Sequence, residues 1–285
     1  MSRRLAYTLL GLLTAATLGG CQNDFTGTMN LDTSGVALQG TENVVLAIKR
    51  VELGGDGRQT NLDFGTEITV DLDLSRSPIL QDVLVPAGDY KWVRLEIDPT
   101  QSYVIASNGG RYALDVPNIF QSTSDFTVGE GQTADMLVDV DLRQALSFET
   151  QGGVRVYTLK PLSRLLDLNA VGNILGAAPG TLVIGNLSVT DPLCEPEAYV
   201  YAGDDVIPEG FSVAVKGGTA PVASSAFKLN VSKDTFSFNV GLLTPGDYTV
   251  AITCASADTA GSKSIDFSPT QTVKVTAGGD ARVDF

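Results

Sequence analysis

The 285-residue chain contains no histidine. That absence removes the commonest general base and the commonest metal ligand. A Ser-His-Asp triad, a Cys-His dyad and an HExxH zinc site are therefore excluded. Basic residues are scarce as well: 19 Lys and Arg face 33 Asp and Glu, for a net charge of −14. Nucleic-acid binding depends on Lys and Arg contacts to phosphate, so no nucleic acid is expected as a partner. Attachment to anionic lipid through basic side chains is disfavoured for the same reason. There is no Walker loop, and no GxGxxG follows a strand to open a helix. Only three cysteines occur, none in a CxxC, so a redox motif is unsupported. A long, capped amphipathic helix is also missing. The best candidate, PLSRLLDLNAVGNILG (161–176), carries Gly172 and Gly176 and reads equally as two strands and a turn.

What is present begins at the N-terminus, with MSRRLAYTLLGLLTAATLGGC. Arg3 and Arg4 precede an uncharged apolar run, Leu5 to Leu18, which falls short of the ~20 residues a spanning helix needs. The pattern describes a secretory signal over residues 1–20. Leu18-Gly19-Gly20-Cys21 resembles the bacterial lipobox. That resemblance implies a diacylglycerol on the Cys21 sulfur, cleavage before Cys21 and acylation of the new amine. Two or more acyl chains anchor durably where one does not. By resemblance to Gram-negative lipoproteins, Gln22 in place of Asp implies the outer membrane, facing the periplasm or the cell surface. Cys194 and Cys254 then remain, and in an oxidising compartment they are read as one disulfide, with two buried thiols as the alternative.

Residues 21–40 are polar and rich in Gly, Thr and Ser, and are expected to form a lipidated tether. From 41 onward, short alternating apolar runs are separated by Gly, Pro, Asn and Asp, the signature of an all-β chain. Examples are VVLAIKRVEL (44–53), TADMLVDVDL (133–142), EAYVYAG (197–203) and TFSFNVGLL (235–243). Residues 41–170 and 173–285 each exceed 100 residues, enough for one sandwich core apiece. The expected architecture is two β-sandwiches of prealbumin-like or immunoglobulin-like type.

One motif is written twice, as LVPAGDYKWVRL (84–95) and LTPGDYTVAITC (243–254). Pro, Gly and Asp turn the chain sharply, and the run that follows enters a sheet. Tyr90 and Tyr248 are expected to lock these turns through their hydroxyls, as in a tyrosine corner. The apolar face starts three residues after Tyr90 but two after Tyr248. A one-residue offset reverses every side chain, so one copy carries a bulge or the two tyrosines point differently.

A second echo pairs VDLDLSR (70–76) with VDVDLRQ (138–144). Alternation puts Asp71, Asp73, Asp139 and Asp141 on one side of their strands. A solvated sheet face is the plainer reading of these carboxylates; a Ca²⁺ site is the alternative. Trp92 is the only tryptophan. With Val93, Leu95 and Ile97 inward, Trp92, Arg94 and Glu96 face outward. Trp92 beside Arg94 is the candidate binding pair, suited to a glycan ring or an envelope protein, with an indole covered by the other domain or a loop as the alternative.

KRVEL (49–53), the DLDLSR strand, LVPAGDYKWVRLEI (84–97), the DVDLR strand and YTLKPLSRLLD (157–167) resemble domain of unknown function 4382 (DUF4382) over roughly residues 30–168. The second half, with LCEPEAYVYAGDD (193–205) and GDYTVAITC (246–254), resembles the module that often follows it. Both Gly-Asp-Tyr hairpins are similar to prealbumin-like sandwiches such as carboxypeptidase regulatory domains. The family has no assigned catalytic residues to carry over, and no cofactor is expected beyond the Cys21 lipid. The expected function is a non-catalytic outer-membrane lipoprotein serving as an envelope or cell-surface interaction module. The alternatives are a carboxylate-based hydrolase of envelope glycans, which needs two acids about 5–10 Å apart, and a calcium-stabilised adhesion module.

Overall fold

The computed structural model describes residues 25–36, 41–55, 57–72, 76–211, 219–230, 235–254 and 265–285. The chain is nearly all β. In the first half the strands are β1 (Thr26–Val36), β2 (Thr41–Gly55), β3 (Arg58–Asp71), β4 (Ser77–Pro86), β5 (Gly88–Ile97) and β6 (Tyr103–Ala106). They continue with β7 (Arg111–Asp115), β8 (Ile119–Val128), β9 (Thr133–Asp141), β10 (Leu146–Gln151), β11 (Val154–Leu159) and β12 (Arg164–Asp167). A single helical turn, α1 (Leu142–Ala145), separates β9 from β10. In the second half they are β13 (Gly172–Pro179), β14 (Val183–Ile184), β15 (Leu187–Ser188), β16 (Glu197–Ala202) and β17 (Ala223–Ala226). The last five are β18 (Lys228–Asn230), β19 (Thr235–Leu243), β20 (Gly246–Thr253), β21 (Gln271–Val275) and β22 (Asp280–Asp284).

Among the described residues, the two halves share no sheet. In the first, the sheet β12-β9-β1-β4 packs on a larger one, β10-β11-β7-β6-β2-β5-β8, with β3 added alongside β2. Met29, Leu31, Leu46, Leu53, Val93, Leu95 and Phe120 lie in the core between them. In the second half, β18-β19-β13-β22 packs on β17-β16-β20-β21. Ile174, Phe238, Val240, Val200, Tyr248 and Val250 fill that smaller core. The 161–176 segment, left open between helix and strands, forms β12, a turn and the start of β13.

The tether expected over residues 21–40 requires correction. Residues 26–36 form β1, which runs antiparallel to β4 and parallel to β9. Burial of Met29 and Leu31 is complete. Only two large apolar side chains mark the strand in TGTMNLDTSGV, and its partners come from elsewhere in the chain, which is why the composition resembles a linker.

The two sandwiches are copies of one plan. β1 lies between antiparallel β4 and parallel β9, and β13 lies between antiparallel β19 and parallel β22. β5 pairs with β2 and β8, and β20 with β16 and β21. Gly88 sits opposite Val128, as Gly246 sits opposite Val275. Equivalent glycines pass the same crowded point. A Cβ on Gly27 would lie 2.3 Å from the Gly129 carbonyl oxygen, and one on Gly172 would lie 2.3 Å from that of Thr276.

The repeated Gly-Asp-Tyr motif is the corner at which each chain leaves one sheet for the other, β4 to β5 and β19 to β20. Tyr90 Oη donates to the Pro86 carbonyl at 2.7 Å, and Tyr248 Oη donates to the Thr244 carbonyl at 2.7 Å. Each bond spans four residues, so both are tyrosine corners. Gly88 takes a positive φ (151°) and Gly246 does not. The one-residue offset traces to a register break. Tyr90 pairs with Phe126 but Trp92 pairs with Thr123, so β8 carries one extra residue there.

Candidate functional site

On the outward side of β5, alternation presents Trp92, Arg94 and Glu96, each half-buried, while Val93, Leu95 and Ile97 are buried. Cross-strand register extends this line into a lattice four strands wide. Its first row is Gln59, Gly54, Trp92 and Thr123; its second is Asn61, Glu52, Arg94 and Gln121; its third is Asp63, Arg50, Glu96 and Ile119.

Gly54 and Trp92 fit each other. A Cβ on Gly54 would lie 2.0 Å from Trp92 Cζ2, so the glycine leaves the space in which the indole rests on β2. The Arg94 guanidinium carbon sits over the indole, 4.6 Å from its centroid. Arg94 Nη1 donates to Glu52 at 2.9 Å, while Nε and Nη2 donate to Gln121 Oε1 at 3.1 and 2.8 Å. Arg50 bridges Asp63, Glu96 at 3.3 Å and Glu52 at 3.8 Å. The charges of the lattice are thus largely neutralised from within, and Glu52 is buried beneath the two guanidiniums. The amide groups of Asn61 and Gln121 flank the central pair and are exposed.

The face presents an oriented aromatic ring with exposed amide groups to either side. It offers no unpaired carboxylate for proton transfer among the described residues. Trp92 and Arg94 were legible from alternation. Glu52, Asn61 and Gln121 were not, because only strand pairing brings them beside Arg94. The outward phase of Glu52 within VVLAIKRVEL was the one available signal.

The aspartates of the second echo do not share a face. Asp71, at the end of β3, accepts from the Asn43 side chain and from the Val44 amide at 3.1 Å. Asp139 is buried, which corrects the solvated-face expectation; it accepts from Ser34 Oγ at 2.7 Å and is ion-paired with Arg164. The reason is position: β9 is flanked by β1 and β12, and Arg164 reaches on to the Leu242 carbonyl of the second sandwich. Asp141 caps α1, accepting from the Arg143 amide at 3.0 Å. Asp73 and Cys21 lie outside the described residues. No group of three or more His, Cys, Asp or Glu among the described residues is placed to hold a metal.

A separate charged group closes the turn after β5. The Thr100 hydroxyl and the Lys49 ammonium, 2.9 Å away, hold the Asp98 carboxyl well below the usual carboxylate range. Its bond to Asp98 raises Lys49, and desolvation followed by Asp98 raises nearby Glu67. These groups are mutually satisfied and shape the turn.

Cys194 and Cys254 form a disulfide with Cα atoms 4.5 Å apart, tying the end of β20 to the loop before β16. Between the sandwiches, Arg143 on α1 is ion-paired with Glu197 on β16 and lies over the Phe211 ring, 4.7 Å from its centroid. No described helix is long and apolar enough to cross a membrane.

Residues 26–161 match the family described as Domain of unknown function (DUF4382). No curated protein matches the sequence. Solved structures that match include a leucine-rich repeat protein from Bacteroides thetaiotaomicron, at 12% identity and TM-score 0.25, covering 91% of this chain and 26% of that one. The TIE protein of Bacillus anthracis matches at 14% identity and TM-score 0.21, covering 92% and 34%. The minor pilin GBS52 of Streptococcus agalactiae matches at 11% identity and TM-score 0.21, covering 90% and 94%. The chain therefore spans about a quarter and a third of the first two. Scores of this size establish no shared fold.

Proposed function

We propose that this chain, whose residues 26–161 form a domain of the DUF4382 family, is a non-catalytic lipoprotein of the bacterial outer membrane that serves as an envelope interaction module. The observation that carries the reading is the lipobox-like Leu18-Gly19-Gly20-Cys21 after a basic start and a short apolar run. The disulfide supports it: a Cys194–Cys254 bridge belongs to an oxidising compartment and leaves Cys21 as the one remaining cysteine. The lack of histidine and the engagement of Asp71, Asp139 and Asp141 in structural bonds favour binding over catalysis.

The test is Cys21→Ala. The parent protein should incorporate labelled palmitate and fractionate with outer membranes, while the variant should lose the label and enter the soluble fraction. A variant that still sediments with membranes would refute the anchor.

A further inference from the structure

The two copies of the sandwich treat the same sheet face in opposite ways. In the second copy, the outward side of the β16–β20 pair carries Tyr199, Tyr201 and Ala251, all buried. Phe211, Ile265 and Phe267, from segments outside the strands, pack over them. Tyr199 meets the ring of Phe211 at 5.0 Å and that of Phe267 at 6.0 Å. The plan can therefore cover this face with its own chain, and once it does. In the first copy, none of the described segments covers the equivalent side of β2 and β5, and Gln59, Asn61, Gln121 and Thr123 are exposed. Where the second copy has an aromatic cluster, the first has the Trp92–Arg94–Glu52 lattice.

We infer that this open face of the first sandwich is a binding site for a neutral glycan chain, which lies across the Trp92–Arg94 pair and hydrogen-bonds to Asn61 and Gln121. The inference rests on the proposed surface role and assigns it a ligand class. Three features select a neutral glycan over a protein or an acidic polymer. Ile119 is the only large aliphatic side chain in the lattice, whereas the centre of a protein interface is more apolar and depleted in charge. Arg50 and Arg94 are already neutralised by Asp63, Glu96 and Glu52, so the face offers nothing to an acidic polymer, which the net charge of −14 would also repel. The stacked Trp92–Arg94 plate with amide groups to either side matches a sugar, whose C–H face lies on such a plate and whose rim of hydroxyls hydrogen-bonds. The Asn61 and Gln121 amide nitrogens have no partner among the described residues and are the donors for those hydroxyls.

Because Trp92 is the only tryptophan, its emission reports this site and no other. Full-length protein in detergent would be screened on an array of neutral gluco-, manno- and N-acetylglucosamine oligosaccharides, and any binder titrated by emission and by calorimetry. At least one oligosaccharide should shift the emission saturably, and calorimetry on Trp92→Ala should show at least tenfold weaker binding. An Asn61→Ala/Gln121→Ala variant, altered only at exposed positions, should bind at least threefold more weakly with unchanged melting temperature. An array with no neutral binder overturns the inference, as does a binder whose affinity ignores both variants. Acylation is scored separately: a palmitate-labelled protein that binds no glycan sinks this inference and leaves the anchor standing.

Discussion

If the repeated corner holds each sandwich together, removing a single oxygen from either tyrosine should have a measurable cost. Tyr90→Phe keeps the ring, which is buried and stacked on Phe126 with centroids 5.3 Å apart, and deletes the 2.7 Å bond to the Pro86 carbonyl. A net intramolecular hydrogen bond is worth about 0.5–1.5 kcal/mol, and a carbonyl left unsatisfied in a buried place adds to the loss. The expected destabilisation is therefore about 1–2 kcal/mol. With a urea slope of about 2–3 kcal/mol/M, the midpoint should fall by roughly 0.5 M without a change in slope. Trp92 lies two residues away, so its emission follows the first sandwich. Tyr248→Phe should cost a similar amount but show its effect in hydrogen exchange of β20. Tyr90→Ala, which also empties the ring site, should cost about 3–5 kcal/mol by analogy with buried Phe. Alkaline pH gives a second reading. Burial raises the Tyr90 hydroxyl above its ordinary value of 10. A raised folded value stabilises the neutral form, so the contribution is complete below pH ~10 and is lost as pH climbs through the folded value. Tyr90→Phe should remove that part of the alkaline decline. Unchanged midpoints in both Phe variants, with native circular dichroism, would refute the reasoning.

Cys194→Ser or Cys254→Ser should destabilise the second sandwich by up to about 4 kcal/mol, the chain-entropy figure for the 60-residue separation of the bridge. Two alkylatable thiols in protein isolated without reductant would contradict the pairing. Arg143→Met should leave the nearly buried Glu197 without its cation and cost about 3–5 kcal/mol. Adding Glu197→Gln should recover much of that, and a double-mutant cycle with no coupling would show that the pair does not join the sandwiches.

Alternation within a segment was legible in the sequence; what lies over a segment was not. β5 illustrates the first, because inward Val93, Leu95 and Ile97 fix the outward phase of Trp92 and Arg94 through the period-two geometry of a strand alone. β9 illustrates the second. Its alternation correctly separates Val138 and Val140 from Asp139, but whether Asp139 meets water depends on Arg164 and on Ser34, which is 105 residues away. β1 escaped notice for the same reason, since its identity as a strand resides in its partners β4 and β9.

The corner motif was readable because its chemistry is local: Pro, Gly, Asp and Tyr act within five residues, and the Tyr-to-carbonyl bond spans four. Duplication of the whole plan was not readable, since the two copies keep backbone constraints and few side chains in common. Gly27 and Gly172 survive as equivalents because a Cβ at either would strike a carbonyl oxygen, and a clash with backbone cannot be relieved by repacking. Side chains outside the core carry no such constraint, and the outward faces differ. One is a covered aromatic cluster around Tyr199 and Tyr201, the other an ion-paired lattice around Trp92. A face under no packing demand would tolerate any polar set. Gly54, however, is a glycine inside a strand, a placement that weakens the strand unless something needs the space. Here the indole of Trp92 needs it, so substituting Gly54 by Val should displace the ring and move its emission to the red with β2 still paired. An unmoved spectrum would mean the indole does not depend on that gap.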